Sequence, residues 1–428
     1  MKNNLTRQLQ IQKIVHGGQG LGKDDSGKKV FVWGALPGEI VMATVTKQRK
    51  DYEEAYATDI ISANNYRIKP TEPDIYLATS PWQIVDYSQE AKYKQQILAE
   101  SFAREKIDIK WQDFFQGAQE YGYRNKMEYN FWFDKETEQV SLALHKRGTH
   151  QKIAVTGSIL ASEIINSAGR NLVEYINSKK IEGRSLKSVI IRSTQQGQVG
   201  ISLFVKDKAI ASEFSDFIMP KLSFEVVYSD PKSPASVATE VLIDKNVILK
   251  DNLLNGDFAY TTRSFFQVNI PVYNLVLRQI RDYLTSVNAQ SVLDLYSGVG
   301  SIGLSVIGKE KQLIMVETDK EAAAQARINI NSDKHKMIVS PAEDAISYIT
   351  GLETIIVDPP RAGLHKSVTA KLTDTKPKNI VYLSCNPATQ ARDVKELIEV
   401  GYKVDMAQGY NFFPRTPHIE SLIFLSMN

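Results

Sequence analysis

Twelve residues, VLDLYSGVGSIG at 292–303, leave this chain few folds to choose from. An apolar run too short for a helix meets a loop with glycines at 298, 300 and 303, and helical sequence follows. A strand that reads as buried on both faces and turns through such a loop into a helix belongs to a parallel sheet covered by helices on both sides. The residues that follow repeat the theme. KQLIMVE, ETIIVD and NIVYLSC read as further buried strands, with EAAAQARININ and TQARDVKELIEV as helices between them. The expectation for residues 263–428 is an α/β, Rossmann-like doubly wound sheet that holds ligands at the carboxyl ends of its strands.

The N-terminal 62 residues have another texture. LQIQKIVHGG, KKVFVWGAL, EIVMATVTKQR and YEEAYATDIIS are β-rich and separated by GQGLG, KDDSG and LPG. They predict a small closed β-barrel of the OB type over residues 1–62, a shape often used to bind nucleic acid. Residues 63–262 predict a central α+β unit, with YRNKMEYNFWF, SVIIRSTQ and QVGISLFV as strands and IVDYSQEAKYKQQILAESFAREK as a helix. Its aromatic residues are interleaved with Arg124, Lys126, Lys146 and Arg147, a mixture able to stack bases and pair phosphates, although most rings at such spacings belong to a core. Charge is uneven as well: residues 1–70 hold 11 Lys/Arg against 7 Asp/Glu, the remainder 41 against 42. A basic module on a near-neutral body suits a polyanionic partner, and equally an ordinary solvated surface.

With 428 residues, 43% hydrophobic and 24% charged, the chain can build two or three cores. No apolar run approaches the roughly 18 residues of a membrane span. MKNNLTRQLQIQK lacks the apolar block of a secretory signal, so a cytoplasmic protein without membrane attachment is expected. Cys385 is the one cysteine, which excludes a disulfide framework and any cluster held by several thiolates of this chain.

Gly298, Gly300 and Gly303 satisfy G-x-G-x-x-G, and Glu317 follows about 20 residues on, where it could grip a ribose; alone, this fits a nicotinamide dinucleotide site or a mere tight turn. Asp294 inside the strand tilts the balance. A carboxylate beside the glycine loop repels a pyrophosphate and welcomes an ammonium, so a cationic cofactor fits better.

Further along, Asp358-Pro359-Pro360-Arg361 ends a strand, and its prolines freeze the backbone so that an acid projects into the cleft. Cys385 stands between NIVYLS and Asn386-Pro387, the expected cap and first residue of a helix, and a helix N-terminus favours the thiolate. Such a thiolate can add to carbon 6 of a uracil, turning carbon 5 into a nucleophile for an electrophilic methyl group. The carbon 5 proton must then be removed by a base. Glu420 in FPRTPHIESLIF is the candidate, with His418 as a rival because residues i and i+2 of a strand share a face.

As a set, LDLYSGVGSIGL, VDPPRAG, SCNPAT and FPRTPHIE resemble the bacterial RNA uridine-5-methyltransferase family, and RSFFQVN at 263–269 matches a further segment of it. The resemblance implies a class I methyltransferase domain that takes S-adenosylmethionine. It also implies that Gln267, Tyr296 and Glu317 contact the cofactor, Asp358 lines the site, Cys385 is the nucleophile and Glu420 the base. The barrel looks like the TRAM domain of the rRNA enzymes of this family, which points to 23S rRNA as partner with tRNA as the alternative; no obligate protein partner is inferred. Many rRNA members carry four cysteines for an iron–sulfur cluster after the barrel. Here that stretch reads RIKPTEPDIYLATSPWQIVDYSQ, so no cluster and no metal are expected, and the segment with Arg67, Pro70, Gln83, Tyr87 and Gln89 is expected to be held by packing alone. Pro341, in SPAE, stands where related enzymes place an acid for adenine. A nicotinamide-dependent oxidoreductase and a non-catalytic RNA-binding protein remain as alternatives, the first disfavoured by Asp294, the second by the presence of Cys385 and Glu420.

Overall fold

The computed structural model describes residues 5–147, 151–245, 248–254 and 256–427. The first strand, Thr6–Gln10, pairs with Ile40–Gln48; the same segment bends, resumes as Lys13–Ile14 and pairs with Gly20–Lys23. With Lys29–Trp33 and Tyr52–Ser62 between, that bent segment closes the six-stranded sheet into the expected barrel. Alternate residues, among them Leu9, Val30, Val32, Val41 and Ala55, point inward and fill it.

A second, seven-stranded sheet is centred on Leu186–Ser193, flanked by Val199–Val205 and Lys126–Asp134. Helix Glu163–Ser178 starts at Ser162, whose hydroxyl accepts from Ile165 N. Its spacing of Ile165, Ala168, Leu172 and Ile176 lays one apolar stripe on this sheet. Each large aliphatic side chain so buried contributes roughly 1.5–3 kcal/mol.

Between barrel and sheet, the expectation of packing alone is corrected. Arg67 makes a bidentate ion pair with Glu39, at 2.5 and 2.8 Å, and also donates to Gly34 O at 2.7 Å. Buried Gln83 donates to Ser80 Oγ and Glu72 Oε2 and accepts from Glu72 N. Groups so deeply placed must find partners, and here they find each other.

The last sheet runs His335–Val339, Gln312–Glu317, Ser291–Leu295, Thr354–Val357, Asn379–Ser384, Glu420–Ser426, Lys403–Tyr410. The first five are parallel; Glu420–Ser426 is antiparallel to both neighbours. Successive strand residues feed two cores: Val292, Met315, Ile356 and Val381 face helices Ile270–Ser286 and Lys320–Asn329, while Leu293, Val316, Val357 and Tyr382 face Lys366–Thr375 and Pro387–Glu399. Helix Tyr87–Arg104, far away in sequence, joins the second layer through Leu98 and Phe102. Strand order reverses at Ser291–Leu295, the place at which sheets of this kind hold their ligands.

Candidate active site

Asp294 is fully buried on the strand that runs into the glycine loop. Its Oδ2 accepts from Gly303 N at 2.9 Å, and its Oδ1 has no partner. A Cβ at Gly303 would stand 2.9 Å from that carboxylate, which explains the glycine. The loop turns through positive φ at Gly298 and Gly300, +57° and +82°, and at Tyr296, +63°, where a side chain makes the conformation costly. Glu317 is tied to the loop, its Oε2 accepting from Gly298 N and its Oε1 from Asp319 N, both at 2.8 Å. The Tyr296 phenol lies beside the His365 backbone and Glu343.

Burial, reinforced by Asp358 and Glu317, pushes the Asp294 carboxyl up to about 8. This floor suits a cation. Asp294 Oδ1 is a buried acceptor in want of a donor, and a Cβ at Gly298 would meet nothing within 4 Å, so the loop opens on space. The residues present therefore fit S-adenosylmethionine better than a dinucleotide, whose pyrophosphate would face acids.

Asn379–Ser384 pairs antiparallel with Glu420–Ser426, Ser384 opposite Ser421, which leaves Cys385 and Glu420 as the next residues outward on neighbouring strands. Asn386 caps helix Pro387–Glu399 as expected, accepting from Ala388 N at 3.1 Å, and donates its Nδ2 to Arg361 O at 2.7 Å. That bond joins the cysteine turn to the Asp358–Arg361 turn. Asp358, Cys385 and Glu420 consequently share one electrostatic environment.

In the substrate-free protein the expected help of the helix end to the thiolate is outweighed. Burial, then Glu420 and Asp358, push Cys385 up to about 12 against the opposing pull of Arg361. Burial and Asp358 likewise raise the Glu420 carboxyl well above the ordinary range, and burial pushes Asp358 up to about 7. At neutral pH the site stores protons.

His418 lies in the loop before the strand, not on it, so the shared-face argument fails. Arg361 Nη2 donates to its Nδ1 at 3.4 Å, and its ring meets Phe413 edge-on at 5.5 Å. Burial and the charges of Arg361, Arg147, Lys94 and Arg124 push it down to about 3. An imidazole so depressed is a poor proton acceptor, whereas a carboxylate raised by burial is a strong one.

The loop leading to Glu420 is held from helix Tyr87–Arg104. Buried Lys94 donates to Asn411 Oδ1 at 2.6 Å and Phe413 O at 3.1 Å, and Glu90 accepts from Asn411 Nδ2 and Arg415 N. Gln267 is buried beside this loop. Its carbonyl accepts from Asn125 Nδ2, and two residues on Asn269 donates to Phe412 O. Sequence reasoning missed Tyr273, buried on helix Ile270–Ser286, which bonds Ser301 of the glycine loop at 2.8 Å and senses Asp358, Asp294 and Glu420 at once. Its apolar helical neighbours gave no sign of that position.

Among the described residues no group of three or more His, Cys, Asp or Glu is arranged to hold a metal ion. No helix there is long and apolar enough to cross a membrane. The family model of tRNA (uracil-5-)-methyltransferases matches residues 86–349 and 343–428, and that of the TRAM domain residues 4–57. A Clostridium tetani protein described as an uncharacterized RNA methyltransferase is 29% identical over 100% of this chain and 97% of its own length. One from Thermotoga maritima, described alike, is 27% identical over 98% and 99%. The structure of a Pyrococcus abyssi tRNA (uracil-54, C5)-methyltransferase, in complex with S-adenosyl-L-homocysteine, superposes with a TM-score of 0.79 at 22% identity, over 98% of this chain and 100% of that one.

Proposed function

The chain belongs to the tRNA (uracil-5-)-methyltransferase family, and from that premise we propose that it methylates carbon 5 of a uridine in 23S rRNA with S-adenosylmethionine as donor. The observation that carries this reading is the convergence of Asp358 and Cys385, past the carboxyl ends of two parallel strands, with Glu420, at the amino end of the antiparallel strand beside them, next to the acid-floored glycine loop. Residues 1–62 and 63–262 are read as RNA-binding units ahead of a catalytic unit, residues 263–428.

In this scheme the uridine is flipped into the crevice. Cys385 sulfur bonds carbon 6. The thiol proton passes to the carboxylate cluster, in which Asp358, pushed up only to about 7, is part-ionised at neutral pH. Asp294, Tyr296, Glu317 and Gln267 would hold S-adenosylmethionine, which when bound would supply a methyl electrophile for carbon 5. Glu420, once it has given up to solvent the proton that its burial retains, accepts the carbon 5 proton as carboxylate, the ring double bond re-forms and the carbon–sulfur bond breaks, returning Cys385. The raised proton affinity of Glu420 strengthens it for that step.

A tRNA uridine is the second reading, favoured by the likeness of nearly the whole chain, barrel included, to a protein described as a tRNA methyltransferase. Transfer of labelled methyl to unmodified 23S rRNA fragments and to tRNA transcripts in parallel, with nucleoside digestion and mapping, decides between them. Label in 5-methyluridine of 23S rRNA is expected; label in tRNA alone transfers the proposal to that substrate, and label in neither rejects it.

A further inference from the structure

Between the barrel and the central sheet lies an open cleft of about 580 Å³. Trp33, at the end of strand Lys29–Trp33, forms one wall; Arg147, two residues past strand Gln139–His145, forms the other. The Arg147 guanidinium carbon sits 5.0 Å from the centre of the Trp33 ring, and Lys146 Nζ lies 5.1 Å from that of Tyr56. Arg147 Nε is buried without a hydrogen-bond partner, and among the described residues no carboxylate lies within ion-pair distance of Arg147. The acid of this cleft, Glu54, is engaged with Lys47 at 2.8 Å. A half-buried guanidinium resting on an indole, with an unused donor and no acid, is a site prepared for an anion.

One residue from Gln19 of this cleft, the barrel touches the loop that leads to Glu420. The barrel turn at Gly18 accepts from Trp82 Nε1 at 3.1 Å and packs on Pro417, next to His418. The His418 ring lies within the field of both Arg361 and Arg147, so a line of cations leads from the reacting turn to the cleft.

We propose that this cleft is a nucleotide-binding subsite, in which Arg147 pairs with a backbone phosphate and Trp33 stacks the base of an RNA residue close to the target uridine. The guanidinium gives up the indole face for the phosphate, and the base takes its place. Stacking and phosphate pairing require no particular base, so the subsite orients the strand and leaves selection of the uridine to the crevice. The proposal rests on the reading that the substrate is RNA.

The test uses the full chain and a fluorescein-labelled, uridine-containing single-stranded RNA of about 14 nucleotides. Anisotropy is measured for the wild type, Arg147→Gln, Trp33→Ala and Trp33→Phe, with S-adenosylmethionine binding followed separately. Arg147→Gln and Trp33→Ala are each expected to weaken RNA binding about tenfold, with Trp33→Phe retaining most of the affinity. Arg147→Gln should also lower the slope of log affinity against log salt by about 0.7. Cofactor affinity should not move, and in turnover the KM for RNA should rise more than kcat falls. Arg147 lies past a strand end, so its variant carries the test if Trp33→Ala fails to fold. RNA affinity and salt slope of Arg147→Gln equal to the wild type would overturn the subsite, whatever the activity. Loss of RNA affinity in that variant, in a protein whose wild type transfers no methyl, would support the subsite and reject the proposed reaction alone.

Discussion

The crevice and its rim treat charge in opposite ways. On the floor, Asp294, Asp358 and Glu420 are crowded together with their carboxyls raised, and the thiol of Cys385 is raised among them. At the rim, burial and then the charges of Arg361, Arg147, Lys94 and Arg124 keep His418 neutral. Burial disfavours charge in both places, yet the floor answers by holding protons and the rim by keeping cations on aromatic faces, Arg124 over Phe413 and Arg147 over Trp33. A floor of raised proton affinity suits chemistry in which a proton is taken from carbon, and a cationic rim suits a substrate that brings phosphates. The division predicts that substitutions below should stop the reaction and substitutions above should weaken its grip.

The largest effect belongs to Cys385. Cys385→Ala should lower methyl transfer by at least about 10⁴-fold, as loss of a covalent nucleophile does, while RNA and S-adenosylmethionine still bind. Near-normal turnover in a labelled-methyl assay would remove the covalent scheme. Glu420→Gln comes next, with kcat falling about 10²- to 10⁴-fold. Because the block falls after the carbon–sulfur bond has formed, a denaturant-resistant complex of protein and methylated RNA should accumulate on gels. Slow turnover without that adduct would assign proton removal elsewhere.

Much of this floor is written locally in the chain. Gly298, Gly300 and Asp294 sit within one strand and turn, and Cys385 sits one residue before its helix cap, so short-range pattern was enough to find them. The charge states were not legible. They depend on Glu420 arriving beside Cys385 through an antiparallel register, Ser384 against Ser421, that no local pattern announces. Nor was the loop before Glu420, which reads as strand yet is pinned by Lys94 to Asn411 across 317 residues of sequence. Cations could be picked out as Arg124 and Arg147, but Trp33, on the barrel, reads like any core aromatic until the fold brings it over Arg147.

A smaller effect follows from the floor's stored protons. Without ligand, Asp294 lies at about 8 and Asp358 at about 7, so both are largely protonated in mild acid. A cation prefers the ionised forms, and affinity for S-adenosylmethionine should therefore rise, with proton release, between about pH 6 and 9. Asp294→Asn should weaken binding about tenfold and flatten that rise, the loss expected for one charged hydrogen bond. A carboxyl raised by folding lets the native state hold a proton that the unfolded chain gives up, so stability is lost as pH climbs from about 4, through the folded value of about 8. Ligand-free Asp294→Asn should accordingly melt above the wild type in mild alkali and gain nothing near about pH 4. Calorimetry that finds a flat affinity profile in the wild type would show the floor to be charged already.

The smallest effect tests how the rim is held. Lys13 of the barrel meets Glu100 of helix Tyr87–Arg104 at 2.6 Å, but the two side chains are 43% and 41% exposed. Water and salt screen such a pair, and Glu100→Ala should cost less than about 1 kcal/mol in thermal unfolding, a difference that shrinks at high salt. The same barrel is seated by buried bonds, Arg67 to Glu39 and Trp82 to Gly18, whose partners have no water to fall back on. If Glu100→Ala cost several times more, or detached the barrel in limited proteolysis, the rim would depend on surface charge for its position. A small cost places the barrel, and with it Trp33, on the buried bonds, as a subsite that must keep Trp33 facing Arg147 requires.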